Sequence, residues 1–159
     1  MRTLSYTEEF IKALYLKIGM MTPLQLNFKT IAKSLGIHLF CWPHPSQALF
    51  FVNTGYIMIN ENLTPQQQWQ DFCHELCHIL LHTGHQGRMP PLFRSYQEYK
   101  ASNFMYHACV PTFMLDALEP AVLTAHNIQH LFNVEYEFAM QRLERYLNNL
   151  NPMPNLNIS

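Results

Sequence analysis

Phe72-Cys73-His74-Glu75-Leu76-Cys77-His78-Ile79-Leu80-Leu81-His82 is the stretch on which the reading of the whole chain turns. It contains the pattern His-Glu-x-x-His. On an α-helix, residues four apart differ by about 40° in rotation and about 6 Å along the axis, so His74 and His78 point the same way and can share one ion. Neutral imidazole nitrogens suit Zn²⁺, at about 2.0–2.1 Å. Glu75 is one step round the helix from His74. From there it can reach a metal-bound water without being a ligand, take its proton as the water attacks a carbonyl, and pass that proton to the leaving amine.

The stretch reads as a buried helix. Thr64-Pro65 is an N-cap followed by a proline at the first helical position. Trp69, Phe72, Cys73, Leu76 and Leu80 recur at helical spacing, with no glycine or proline before Gly84. The histidine pair falls roughly opposite Trp69 and Leu76, and a helix apolar most of the way round is a buried one. Short motifs arise in helices by chance, but a long, capped, unbroken and buried setting favours a metal site over coincidence.

The chain has 159 residues, of which 48% are hydrophobic, enough for one domain with a core. Ten Lys and Arg against eleven Asp and Glu give a net charge of −1, so there is no electrostatic footprint for direct nucleic-acid binding. Only 13% of residues are charged, which points to a covered face or a partner. No apolar run approaches the roughly 20 residues of a membrane helix. The acidic start, Met1-Arg2-Thr3-Leu4-Ser5-Tyr6-Thr7-Glu8-Glu9, is unlike a signal peptide. The expectation is a cytoplasmic protein whose four cysteines stay reduced.

Cys73 and Cys77 flank the motif. Read as a haem-attachment pattern they are one residue too far apart. A structural zinc site is a better rival, because thiolates bind zinc well, but two cysteines and two histidines on one helix cannot surround an ion tetrahedrally. Cys109 or Cys41 would have to contribute. Two small buried apolar side chains is the favoured reading.

The rest of the chain yields helices and a small sheet. Residues 7–17 form a helix with Phe10, Ile11, Leu14 and Tyr15 as its apolar stripe. Residues 27–35 form a second, closed by Gly36. Strands are expected at 37–42, 48–52 and 56–60, the last two joined through Asn53-Thr54-Gly55, with a cleft between the motif helix and a sheet edge near Tyr56–Asn60 on which an extended substrate segment can pair. After the motif helix, residues 83–94 hold Gly84, Gly87, Pro90 and Pro91 and read as a loop at the rim of a cleft. Helices follow at 95–109 and 112–118, then around Ile128 to Phe132, with a turn near Asn133, and from Tyr136 to Leu147. Residues 151–159 read as a flexible tail.

A zinc peptidase needs a third protein ligand and an open position. His85 falls one residue late for a third histidine ten residues after His74, and Leu81 supplies no bend. His82 is about two turns, or ~12 Å, from His74. Glu98 sits in the next helix, after a loop long enough to fold back. It also completes Ser95-x-x-Glu98, a capping box in which it would only close a helix start. Spacing alone leaves both readings open. An oxyanion donor is expected too, and Tyr96, Tyr99, His107 and His82 are all available.

Asn60-Glu61-Asn62-Leu63, the Phe72–His78 core, Glu98-x-x-Ala101-Ser102-x-Phe104 with Pro111, and Ile128-x-x-Leu131-Phe132-Asn133-Val134 together resemble the ImmA/IrrE-type zinc metallopeptidases, in particular their mobile-element anti-repressor members. The likeness covers most of the chain. It implies an α+β fold: a small zincin-like (gluzincin) domain over residues 1–150, mostly helical, with the short sheet of about three strands beside the motif helix. It implies Zn²⁺ held by His74, His78 and Glu98, with Glu75 as the base. The implied substrate is a helix-turn-helix repressor, cut to release phage or mobile-element genes. Two residues depart from the pattern. Cys77 stands where glycine is usual, and Lys100 where many relatives carry an acid. The late helices are themselves poor DNA binders: from Ala125 to Tyr146, Arg142 and Arg145 face Glu135, Glu137 and Glu144. The rival function is regulation of a repressor by contact alone, without cleavage.

Overall fold

The computed structural model describes residues 3–81 and 91–151, apart from the side chain of Phe93. Gly84, His82, His85 and Gly87, most of the expected rim loop and the expected tail beyond Asn151 lie outside the described residues. The order is α1 (Tyr6–Lys17), α2 (Phe28–Ser34), β1 (His38–Trp42), β2 (Gln47–Phe51), β3 (Thr54–Asn60), α3 (Pro65–Leu81), α4 (Pro91–Cys109), α5 (Thr112–Asp116), α6 (Ala125–Phe132) and α7 (Tyr136–Leu150), with short 3-10 turns before α2 and α6. This is the expected α+β arrangement, mostly helical with one three-stranded sheet. No described helix is long and apolar enough to cross a membrane.

Local chemistry explains most boundaries. Ser5 and Glu8 form a capping box that starts α1, with the Ser5 N–H donating to Glu8 at 2.6 Å. Asn27 caps α2 through the N–H groups of Lys29 and Thr30. Gly36 ends α2 at φ +69°, a left-handed conformation that glycine adopts without a Cβ penalty. Asn133 does the same after α6 at φ +55°.

The sheet is mixed, in the order β1-β3-β2, with β1 parallel and β2 antiparallel to the central β3. Gly55, Ile57 and Ile59 alternate inward from β3 and are buried. A Cβ at Gly55 would come within 2.9 Å of the Ile79 side chain, so the close approach of α3 to this strand needs glycine there. The other face of the sheet is open. His38 and Phe40 stack on Tyr56 there, and Phe40, Leu49 and Phe51 are exposed.

Three expectations are corrected. The hairpin turns at Val52-Asn53, not at Asn53-Thr54-Gly55: Phe51 pairs with Thr54, and Val52 and Asn53 both take positive φ, as a two-residue primed turn requires. Tyr56–Asn60 is no sheet edge, because β3 lies between the other two strands. Residues 91–94 are helical. Pro91 occupies the first position of α4, where its missing N–H costs nothing, so a residue read as a breaker is an initiator.

A candidate metal centre at the edge of the sheet

α3 begins with reciprocal bonds between Thr64 and Gln67: the Gln67 N–H reaches the Thr64 hydroxyl at 3.2 Å, and the Thr64 N–H reaches the Gln67 carbonyl at 3.1 Å. Its buried side carries Trp69, Phe72, Cys73, Leu76 and Cys77. His74, Glu75 and His78 lie half-buried on the remaining surface. α4 packs beside α3: its Cys109 thiol lies 3.9 Å from the Trp69 carbonyl, and Ala101, Phe104 and Ala108 of α4 are buried in the core. That packing puts Glu98 opposite the histidine pair.

The earlier start of α4 removes the capping reading of Glu98. Ser95 is not an N-cap; it sits inside the helix, and its hydroxyl donates to the Pro91 carbonyl at 3.0 Å. The Glu98 carboxylate turns to α3. Its oxygens lie 2.9 Å from His74 Nε2 and 3.0 Å from His78 Nε2. One donor atom from each residue falls within 4.8 Å of the others, and this is the one such group of three among the described residues. Donor atoms about 3 Å apart suit neighbouring vertices of a tetrahedron with arms of about 2 Å, and two imidazoles plus a carboxylate are a donor set used by catalytic zinc. The residues present therefore fit a Zn²⁺ ion.

Glu75 stands beside this group without joining it. The backbone N–H of Ala48, on β2, donates to its carboxylate. Ala48 pairs with Ile57 of β3, so an N–H that reaches Glu75 must point away from β3, across the edge of β2 that is free among the described residues. Burial, and then the charge of Glu98, push the Glu75 carboxyl up to about 8; the Ala48 N–H works against them, and Asp71 adds to them. A cation at Glu98 would cancel the second of these causes.

A cleft of about 480 Å³ runs from this point, lined among others by Asn60, Gln70, Asp71, His74, Glu75 and Glu135. Glu135, just before α7, accepts from Gln70 Nε2 at 2.8 Å and Gln67 Nε2 at 3.3 Å, while its own N–H donates to Gln70 at 2.9 Å. These bonds fasten the α6–α7 connection over the first half of α3. Nothing in the sequence pointed to Glu135, which there counts only as one acid among several in the late helices.

Other candidates fall elsewhere. His107 is nine residues beyond Glu98 on α4, about 13.5 Å along the axis, and interacts with Glu8 and Arg142. Tyr96 and Tyr99 are exposed, and Tyr96 carries the Lys100 ammonium 5.0 Å over its ring. No oxyanion donor is identified among them. Cys73, Cys77 and Cys109 are buried and Cys41 is exposed, all as free thiols. Burial pushes the Cys77 thiol up to about 12, which keeps it a neutral, inert filler beside the second histidine.

An α+β domain that presents His-Glu-x-x-His on one helix and an acid from the next defines a zincin-like protein. Residues 26–144 match the Peptidase_M78 family, described as the IrrE N-terminal-like domain, and the chain belongs to that family of the ImmA/IrrE type. It is 38% identical over 146 residues to the phage-like element PBSX protein XkdA of Bacillus subtilis (strain 168), covering 90% of this chain and 74% of that one. It is also 36% identical over 151 residues to the uncharacterized protein YqaB of the same strain, covering 93% of this chain and 88% of that one.

Proposed function

We propose that the protein is a zinc-dependent endopeptidase that makes a selective cut in a helix-turn-helix transcriptional repressor, and so relieves repression of phage or mobile-element genes. The observation that carries the chemistry is the convergence of His74, His78 and Glu98 within 4.8 Å, with Glu75 next to them at a free strand edge. The family supports a peptidase, and a relative named for a phage-like element supports the genetic setting.

In this reading His74, His78 and Glu98 would hold Zn²⁺, which when bound would supply Lewis acidity toward the scissile carbonyl and the attacking water. Glu75 takes a proton from that water and delivers it to the departing amine. Burial raises its proton affinity, and a cation at Glu98 would offset the Glu98 charge, so bound metal would favour the carboxylate form that takes the proton. The free edge of β2 offers backbone groups to an extended stretch of substrate, replacing the edge expected at residues 56–60. Bound there, the segment passes Ala48 and so lies against Glu75. A folded domain presents few such stretches, which restricts cutting to segments that can become extended.

The test is intact-mass analysis of the repressor encoded beside this protein, incubated with it and zinc. Discrete fragments that disappear with Glu75→Gln are expected. A repressor that stays whole yet leaves its operator DNA would favour regulation by contact. Indiscriminate digestion of casein, with no preference for the repressor, would remove the anti-repressor role while leaving the zinc chemistry.

A further inference from the structure

A second groove lies at the opposite edge of the sheet from the cleft. A cavity of about 560 Å³ opens between α2 and β1, lined among others by Phe28, Lys29, Ala32, Lys33, Leu39 and Cys41. β1 pairs with β3 on one side only. The Trp42 carbonyl accepts from the Glu61 N–H at 2.9 Å, so Trp42 directs its backbone groups toward β3. By the two-residue alternation Phe40 and His38 do the same, and the N–H and C=O groups of Leu39 and Cys41 face the other way, toward the groove. Gly36 also borders it, and a Cβ built there would meet nothing within 4 Å. Among the described residues the edge is therefore open along the length of a short strand.

The charge of the groove has one sign. Lys29 and Lys33 stand one helical turn apart, both exposed, and among the described residues neither is paired with a carboxylate. No acidic residue lines the cavity. Phe28 and Ala32 supply an apolar wall between the lysines and the core. An open strand edge takes any extended chain through backbone hydrogen bonds, the apolar wall selects alternate apolar side chains, and the two ammonium groups select the sign of the rest.

We infer that the α2–β1 groove, with the outward backbone of Leu39 and Cys41 and the paired Lys29 and Lys33, docks an extended acidic–apolar segment of the protein substrate. That the ligand belongs to a substrate rests on the peptidase reading; its chemical class does not. β1 and β2 are two strand spacings apart, so segments added outside each would lie about four spacings, ~19 Å, from one another. The docked segment is thus not the one that is cut. It tethers the substrate and raises the local concentration of the scissile segment at Glu75.

Binding of two labelled peptides separates the possibilities. One alternates glutamate with valine and isoleucine; the other replaces each glutamate by lysine. Fluorescence anisotropy with zinc-loaded Glu75→Gln protein should show saturable binding of the acidic peptide, weakening with salt, and little of the basic one. The double substitution Lys29→Glu and Lys33→Glu should cost about tenfold in affinity for the acidic peptide and favour the basic one. Cys41→Pro, which removes one outward N–H at a tolerated edge position, should weaken both proteins' binding without altering zinc content. Equal binding of the two peptides, or affinity unchanged by the double substitution, overturns the proposal. So does a dimer in sedimentation velocity that Cys41→Pro disperses, since the edge would then belong to a second copy. Acidic-peptide binding by a protein that cuts nothing would retain the ligand class and overturn its assignment to a substrate.

Discussion

Two of the polar clusters that join distant parts of this chain are built on opposite terms. In one, the Thr112 hydroxyl donates to Glu8 at 2.7 Å and accepts from Arg142 at 2.8 Å, while Arg142 Nε donates to the Val110 carbonyl at 3.0 Å. Arg142 is 1% exposed. Burial alone would raise the Glu8 carboxyl, but hydrogen bonds from Ser5 and Thr112 hold it below its usual value. Acid and base are present together, each held by neutral donors or acceptors, and the cluster ties α1, α5 and α7. In the other, a carboxylate faces two imidazoles, and the Glu98 side chain remains 43% exposed. The first cluster brings its own fixed cation. The second is a set of donors that suits an added one. Buried polar groups that complete each other serve the fold; those that converge from two helices on one accessible point serve chemistry.

That distinction can be broken by single substitutions. The largest effect is expected at Glu75. Glu75→Gln should lower the cleavage rate by about 10²–10⁴-fold with zinc content and thermal midpoint close to the parent, because it removes the proposed general base and none of the proposed ligands. Zinc stoichiometry measured alongside the rate checks both halves. Next comes Glu98→Gln, which removes the charge of a proposed ligand. Zinc affinity should fall by more than the roughly 10–100-fold typical of an outer-shell partner. The metal-free protein should melt near the parent temperature, since Glu98 caps nothing. A chelator titration reads the affinity.

The other cluster should respond in the reverse sense. Thr112→Val leaves Glu8 and Arg142 each short of a partner, and about 1–3 kcal/mol of stability should be lost in a urea titration, with zinc stoichiometry unchanged. The smallest effect is a pH dependence at its border. Burial, and then the nearby Arg142 charge, lower the His107 pKa to about 4, against an ordinary value near 6.5. Between these values the unfolded chain binds the proton and the folded one does not. Stability from the neutral ring is complete above pH ~6.5 and is lost as pH falls toward 4. His107→Gln should flatten the melting temperature over that window. An unchanged slope would place the titrating group elsewhere.

Much of the site was legible because one helix carries most of it. Turn periodicity puts His74 and His78 together whatever the tertiary fold, and it puts Glu75 beside them. Glu98 was harder, since its role depended on where α4 starts. A proline pair argues for a break or for a first turn, and only packing against α3 decides which. The sheet order was not legible at all. Three short strands in sequence suggest neighbours in sequence order, yet β3 inserts between β1 and β2 and buries Ile57 and Ile59 against α3. That choice moves the usable edge from β3 to β2 and opens the second edge at β1. Glu135 was invisible for a related reason: its place in the cleft is fixed by Gln67 and Gln70, 68 and 65 residues away in sequence.

The most direct measurement is an anomalous-difference map from crystals of the zinc-loaded protein, collected at the zinc absorption edge. One peak per chain is predicted, within about 2.0–2.2 Å of His74 Nε2, His78 Nε2 and a Glu98 carboxylate oxygen, with Glu75 outside the coordination sphere. A peak bound to cysteine sulfur, or one that leaves Glu98 unliganded, would contradict the account.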